Sequence, residues 1–109
     1  MAIPIITMNQ LAKIFTRAAD GLDAPLVSIE VHISGGLPCF SIVGLPEGAV
    51  KESKDRVRSA LMNSKYRFPT QRITVSLAPA NLPKSGGRYD LGIALGLLIA
   101  SGQLKSVKN

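Results

Sequence analysis

The chain has 109 residues, 46% hydrophobic and 18% charged, and carries a formal net charge of +6 from thirteen Lys and Arg against seven Asp and Glu. That length and composition describe one domain with a core of its own and exclude a disordered chain. One cysteine excludes an internal disulfide framework and a Cys-based metal site, and points to a reducing compartment. With no Trp, two Tyr and three Phe the core must be aliphatic, which argues against a nucleic-acid platform of several stacked aromatics. The basic balance favours anionic partners, nucleic acid among them, without implying sequence specificity.

Residues 1–10 read as an extension ahead of a single domain over 11–109. The leading Met1-Ala2-Ile3-Pro4-Ile5-Ile6 is apolar but has no basic start and is broken by Pro4, so it is not read as a signal peptide. Residues 11–18 form a weakly marked strand that ends before the turn-like Asp20-Gly21-Leu22-Asp23-Ala24-Pro25. The next strand, residues 26–34, places Val27, Ile29, Val31 and Ile33 on one face and Ser28, Glu30, His32 and Ser34 on the other. Gly35-Gly36-Leu37-Pro38 is a turn of hairpin length, and residues 39–43 return as a third strand. Cys39 lies in that apolar pattern and is expected to be a buried, inert thiol. His32, with no second His and no Cys at ligand spacing, is expected to be a solvated or hydrogen-bonded side chain.

Gly44-Leu45-Pro46-Glu47 starts a helix, with proline in the first turn and Glu47 at the positive end of the dipole. It runs to about Ser64, and Val50, Val57, Ala60 and Leu61 supply its buried stripe. Glu47 with Lys51 and Glu52 with Arg56 are favourable i,i+4 pairs. Lys51, Lys54 and Arg58, with Lys65 beyond them, fall close to one stripe. That stripe is either a basic face for phosphate or a solvated face laced with Glu47, Glu52 and Asp55. A strand over 72–77 follows.

The last helix begins near Tyr89 and stops around Ser101-Gly102. Leu91, Ile93, Leu95, Leu97, Leu98 and Ile99 cover nearly all its faces, so it is expected to be buried all round. One sheet covers only one face of a helix. The remainder is expected to come from the first helix and loops, or from a layer belonging to a longer protein of which this chain is a part. Its apolar run, residues 91–100, is too short to span a bilayer; no membrane partner is expected, and the chain reads as cytoplasmic. Gly92 and Gly96 predict close backbone packing against the sheet. The order β-β-β-α-β-α describes an α+β two-layer sandwich, with helices on one side of a mostly antiparallel sheet.

Between the last strand and this helix lies Leu82-Pro83-Lys84-Ser85-Gly86-Gly87-Arg88-Tyr89-Asp90-Leu91. It is no P-loop, because Lys84 precedes the glycines and the spacing is wrong. Three readings remain. Lys84 and Arg88 with helix-start N–H groups form an anion or DNA contact. Ser85 and Lys84 form a hydrolytic site, which requires a base in reach and an oxyanion hole. Or the loop is structural, with Gly86 and Gly87 allowing positive φ and Asp90 capping the helix. No metal ligand set is present in the sequence.

Several blocks resemble one family. Ala24-Pro25-Leu26-Val27-Ser28-Ile29-Glu30-Val31-His32, Gly44-Leu45-Pro46-Glu47 with Val50-Lys51-Glu52, and Asp55-Arg56-Val57-Arg58-Ser59-Ala60-Leu61 are similar to the amino-terminal domain of the ComM/YifB proteins. So are Arg72-Ile73-Thr74-Val75, Leu77-Ala78-Pro79-Ala80 and Leu82-Pro83-Lys84 with Gly86-Gly87-Arg88-Tyr89-Asp90-Leu91. These are the magnesium-chelatase-like AAA+ ATPases of bacteria. The resemblance implies the fold of the second domain of ribosomal small-subunit protein five, shared with the Lon protease domain and built with a left-handed crossover, an exception to the usual rule. Lon-type proteases carry a catalytic serine after a Pro-Lys-Asp-Gly segment. Pro83-Lys84-Ser85-Gly86 resembles that segment, but Asp90 best matches the serine position and a partner lysine would lie beyond Asn109. The resemblance therefore implies no catalytic residue and no cofactor in these 109 residues. It implies ATP and Mg in a downstream AAA+ domain, a homo-hexameric parent, and action on branched DNA in natural transformation, with this domain serving assembly or DNA engagement. A Lon-lineage hydrolase with an incomplete site, or a stand-alone nucleic-acid-binding module, are the alternatives.

Overall fold

The computed structural model describes residues 10–17, 24–79 and 87–104. Its elements are β1 (Leu11–Arg17), β2 (Leu26–Ser34), β3 (Cys39–Val43), α1 (Glu47–Asn63), β4 (Arg72–Ala78) and α2 (Asp90–Ala100). The order is the β-β-β-α-β-α read from periodicity and from Gly/Pro punctuation. Strict alternation makes each strand one-sided. Val27, Ile29, Val31 and Ile33 of β2 and Ile73, Val75 and Leu77 of β4 are all buried, each inward side chain being worth about 1.5–3 kcal/mol of burial.

The sheet order is β1-β2-β4-β3. β1 and β2 pair antiparallel, as do β2 and β4, whereas β3 and β4 are parallel. The hairpin expected across Gly35-Gly36-Leu37-Pro38 is therefore not formed. β3 does run back against the direction of β2, but β4 lies between them. Two interstrand spacings amount to roughly 10 Å, and four extended residues reach roughly 13–14 Å, so the short connection spans the gap. The insertion gives β4 apolar neighbours on both sides: Ile73 lies opposite Ile33 and Phe40, and Val75 opposite Val31 and Ile42. Cross-strand pairs of this kind stabilise a sheet more than the alternative edge position would.

The strand parity that buries Phe40 and Ile42 turns Cys39 outward. Its thiol is exposed, not buried as its apolar neighbourhood suggested, and its Sγ lies 3.4 Å from Ser41 Oγ. His32 stands half-buried on the polar face of β2, opposite Leu11 of β1 and Thr74 of β4.

Both helices cover the apolar face of the sheet. α1 buries Ser53, Val57 and Leu61 at i,i+4 spacing, with Val50 partly buried, while Ala60 is exposed. A serine thus takes the place in the stripe expected for an alanine, because its hydroxyl finds a buried-side partner on α2. α2 packs on β1, β2 and α1 and buries Ile93, Gly96, Leu97, Leu98 and Ala100. It is not buried all round: Leu91 is 70% exposed and Leu95 36%. The two glycines do face the sheet. A Cβ on Gly92 would lie 2.6 Å from Ile29 Cδ1, and one on Gly96 would lie 2.6 Å from Val31 Cγ2. Gly44, between β3 and α1, has φ +104°, and a Cβ there would lie 2.3 Å from the Leu77 carbonyl oxygen. Among the described residues no helix is long and apolar enough to cross a membrane.

The α1–β4 connection is held from the far end of α2. The Arg67 N–H donates to Gln103 Oε1 at 2.9 Å, and the Gln103 amide donates back to the Arg67 carbonyl at 2.8 Å.

Two substitutions separate the two sides of α2. Leu97→Ala is expected to cost about 2–5 kcal/mol of unfolding free energy, and Leu91→Gln to stay within about 0.5 kcal/mol of the parent, both read by urea unfolding. Gly44→Ala should cost at least ~2 kcal/mol in the same assay, since it combines backbone strain with a clash against a fixed carbonyl.

Candidate functional site

The sequence places its candidate residues in two regions: the connection into α2 and the basic stripe of α1. Of the first, Lys84, Ser85 and Gly86 lie outside the described residues. Gly87 and Arg88 are exposed, Tyr89 is buried at the helix start, and Asp90 is the first residue of α2. The Tyr89 hydroxyl has no hydrogen-bond partner among the described residues, so apolar packing of its ring anchors this end of the loop.

Asp90 does not cap its helix. The cap position belongs to Tyr89, which makes no side-chain cap bond. The Asp90 carboxylate turns to α1 instead. It accepts a hydrogen bond from Ser53 Oγ at 2.8 Å and pairs with Arg56 Nε at 2.5 Å. Its position in the first turn of α2 also places negative charge at the positive end of the helix dipole. Gly87 makes room for this arrangement, because a Cβ there would lie 2.7 Å from Asp90 Oδ2. Arg56 is further held by Glu52 at 3.6 Å, as the i,i+4 spacing predicts. The hydrogen bond from Arg56 to Asp90 raises the guanidinium above its ordinary range, so it stays charged wherever the protein is folded. Ser53 was not singled out from the sequence, and Arg56 only as the partner of Glu52. The available signal was the serine at helical spacing between Val50 and Val57, an uncompensated hydroxyl in an apolar stripe.

The α1 stripe divides. Lys51 does not pair with Glu47 but with Asp55, at 3.0 Å, on a solvated part of the helix. Lys54 and Arg58 turn toward β3. Lys54 Nζ lies 5.9 Å from the Phe40 ring centroid, and Arg58 Cζ lies 4.7 Å from that of Phe68 and 5.9 Å from that of Phe40. The two rings meet at 5.2 Å with a 51° tilt. Cations within about 6 Å of a ring are attracted by its quadrupole. Lys54 and Arg58 are thus set against a two-ring wall, apart from Lys51, and neither is in an ion pair among the described residues. Phe40 and Phe68 were missed because the first faces the core and the second lies in an irregular connection. Among the described residues no three His, Cys, Asp or Glu side chains group so as to hold a metal ion.

Asp90→Ala should lower stability by about 1–3 kcal/mol, because it orphans the hydroxyl of buried Ser53. Arg56→Gln should cost distinctly less, its side chain being solvated. Denaturation of the two single variants and the double variant checks the order, and a non-additive double variant is the expected result.

Residues 29–109 match the family model described as subunit ChlI of Mg-chelatase. The chain is 63% identical over 94 residues to the competence protein ComM of Haemophilus influenzae, covering 86% of this chain and 18% of that protein. It is 64% identical over 94 residues to the uncharacterized protein YifB of Salmonella typhimurium, with 86% and 19% covered. With the YifB protein of Escherichia coli it shares 59% identity over 98 residues, 90% of this chain and 19% of that one. The chain thus spans about a fifth of the length of the curated relatives it matches. With the match to the family model over residues 29–109 and these identities, the chain belongs to the ComM/YifB family of magnesium-chelatase-like proteins.

Proposed function

We propose that this domain is a non-catalytic module of a larger ATP-driven, ComM-like protein, and that it engages DNA or supports assembly while ATP and Mg bind elsewhere in that protein. In this reading its partners are its own AAA+ domain, further copies in a homo-hexamer, and branched DNA during natural transformation in the bacterial cytoplasm. The observation that carries the reading is the use made of Asp90. At the position where a Lon-lineage hydrolase has its serine nucleophile, this chain has a carboxylate already bonded to Ser53 and Arg56. A carboxylate held in that way joins two helices and leaves no activated hydroxyl at the position. The net charge of +6, with Lys54 and Arg58 outside any ion pair among the described residues, supports DNA as the partner over a neutral one.

Two measurements on the 109-residue chain test this. A serine-reactive phosphonate probe should give no labelling; labelling abolished by Ser85→Ala would establish the hydrolase reading instead. In a salt titration on branched and linear DNA, binding should weaken as salt rises, with a log–log slope set by the phosphates contacted. Lys84→Ala with Arg88→Ala reports whether the loop into α2 is a contact. No binding at any salt would remove DNA and leave assembly.

A further inference from the structure

Two clefts meet along the segment that joins α1 to β4, sharing Phe68, Pro69, Thr70 and Gln71 as a common wall. The first, of about 450 Å³, lies between α1 and the start of β3 and holds Lys54, Arg58 and the exposed Cys39. The second, of about 610 Å³, opens toward the end of α2 and holds Arg67, Ser101 and Gln103. None of the described residues lining either cleft is acidic. The described acids lie elsewhere: Glu30 on the far face of β2, Glu47 at the start of α1, Asp55 and Glu52 paired with Lys51 and Arg56, and Asp90 joined to Arg56.

We infer that these two adjoining clefts form a binding groove for single-stranded nucleic acid, with Lys54 and Arg58 as phosphate contacts in the first and Arg67, Thr70, Gln71 and Gln103 as the surface along which the strand passes over the shared segment into the second. The inference rests on the DNA-engaging form of the function proposed above and assigns it a place, away from the loop into α2. Three features select the ligand. Among the described residues Lys54 and Arg58 have no carboxylate partner, which leaves their charge for a ligand. The exposed Arg58 guanidinium has its Cζ 4.7 Å from the Phe68 ring centroid, a contact that restrains the side chain, and a guanidinium meets phosphate oxygens in a fork geometry. Its outer face is a platform of the kind on which unpaired bases stack. Both cations are folded down onto aromatic rings rather than extended, so they are reached by a flexible strand entering the cleft more readily than by the convex backbone of a duplex. Neutral amide and hydroxyl groups flank them. That mix suits sugar and base edges, whereas an acidic peptide would be matched by further cations.

The test uses the 109-residue chain and a fluorescently labelled oligothymidylate, with a duplex of equal length and poly-glutamate as competing ligands. The parent should bind the single strand most tightly. Lys54→Gln/Arg58→Gln should weaken that binding about tenfold at low salt and reduce the log–log salt slope by about 1.4, the value for two lost single-strand phosphate contacts. Lys13→Gln/Arg17→Gln removes the same charge from β1, the opposite edge of the sheet from β3, and should change affinity less than about twofold. Lys54→Met/Arg58→Met keeps the apolar stems over the rings; it should retain the parent melting temperature and show the same loss of binding.

Four results would overturn the inference. If both charge-matched variants lose affinity equally, binding is unlocalised. If the duplex or poly-glutamate binds tighter than the single strand and depends on Lys54 and Arg58, the groove has another class of partner. If the parent binds DNA but the groove variants do so unchanged, the groove is dismissed while the proposed function stands; absence of any DNA binding by the parent removes the groove and the DNA-engaging form of that function, and leaves assembly.

Discussion

The arrangement of the molecule follows from how closely α2 lies on the sheet. Where Gly92 and Gly96 face β2, the space a methyl group would fill is taken by Ile29 Cδ1 and Val31 Cγ2. A side chain at Gly92 would displace the tip of Ile29, and one at Gly96, where the stiffer Val31 and then Ile14 are in the way, would press the helix off the sheet. At the depth the glycines permit, the first turn of α2 meets the middle of α1, and Asp90 reaches Ser53 and Arg56. The two helices then form one layer. α1 is held at a rotation that buries Ser53, Val57 and Leu61 and carries Lys54 and Arg58 around to the β3 side. A packing constraint at two glycines is in this way linked to where positive charge appears on the surface.

The Asp90 contact also limits what the start of α2 can do chemically. A nucleophilic hydroxyl at the start of a helix needs a base in reach and donors for the developing oxyanion. A carboxylate there is neither that hydroxyl nor an oxyanion donor, and it is favoured by the helix dipole and by charge-assisted hydrogen bonds. Gly87, kept free of a side chain by the same carboxylate, belongs to that arrangement. The described part of the loop thus contributes to helix–helix attachment, while Arg88 remains at the surface.

Much of the fold was legible in the sequence, because the signals are local. Alternation marks β2 and β4, and Pro46 with Glu47 marks the start of α1. The glycine spacing in α2 correctly indicated contact with the sheet. The failures concern partners, which local patterns do not encode. Gly35-Gly36-Leu37-Pro38 has the length of a hairpin, yet the hydrophobic faces of β2 and β3 are each better paired with β4, which comes later in the chain. Cys39 has an apolar neighbourhood but the outward parity of an edge-strand end. Asp90 has the character of a cap, and its stronger partners lie on a helix 34 residues away in sequence. The α1 stripe was visible as a row of cations. Its division between Lys51 and the Lys54–Arg58 pair was not, because it depends on Phe40 and Phe68 meeting from distant elements.

The Gln103 clamp has a mechanical consequence. Its side-chain amide makes both hydrogen bonds that a neighbouring strand would offer to Arg67, so one side chain acts as a one-residue strand. It fastens the 66–71 segment to the turn after α2 by bonds that are short, parallel and broken together. Tension applied at the end of α2 would therefore be delivered to that segment before it reached the sheet, whose strands are secured by full ladders. Displacement of a single glutamine would slacken one wall of the groove and leave the core in register.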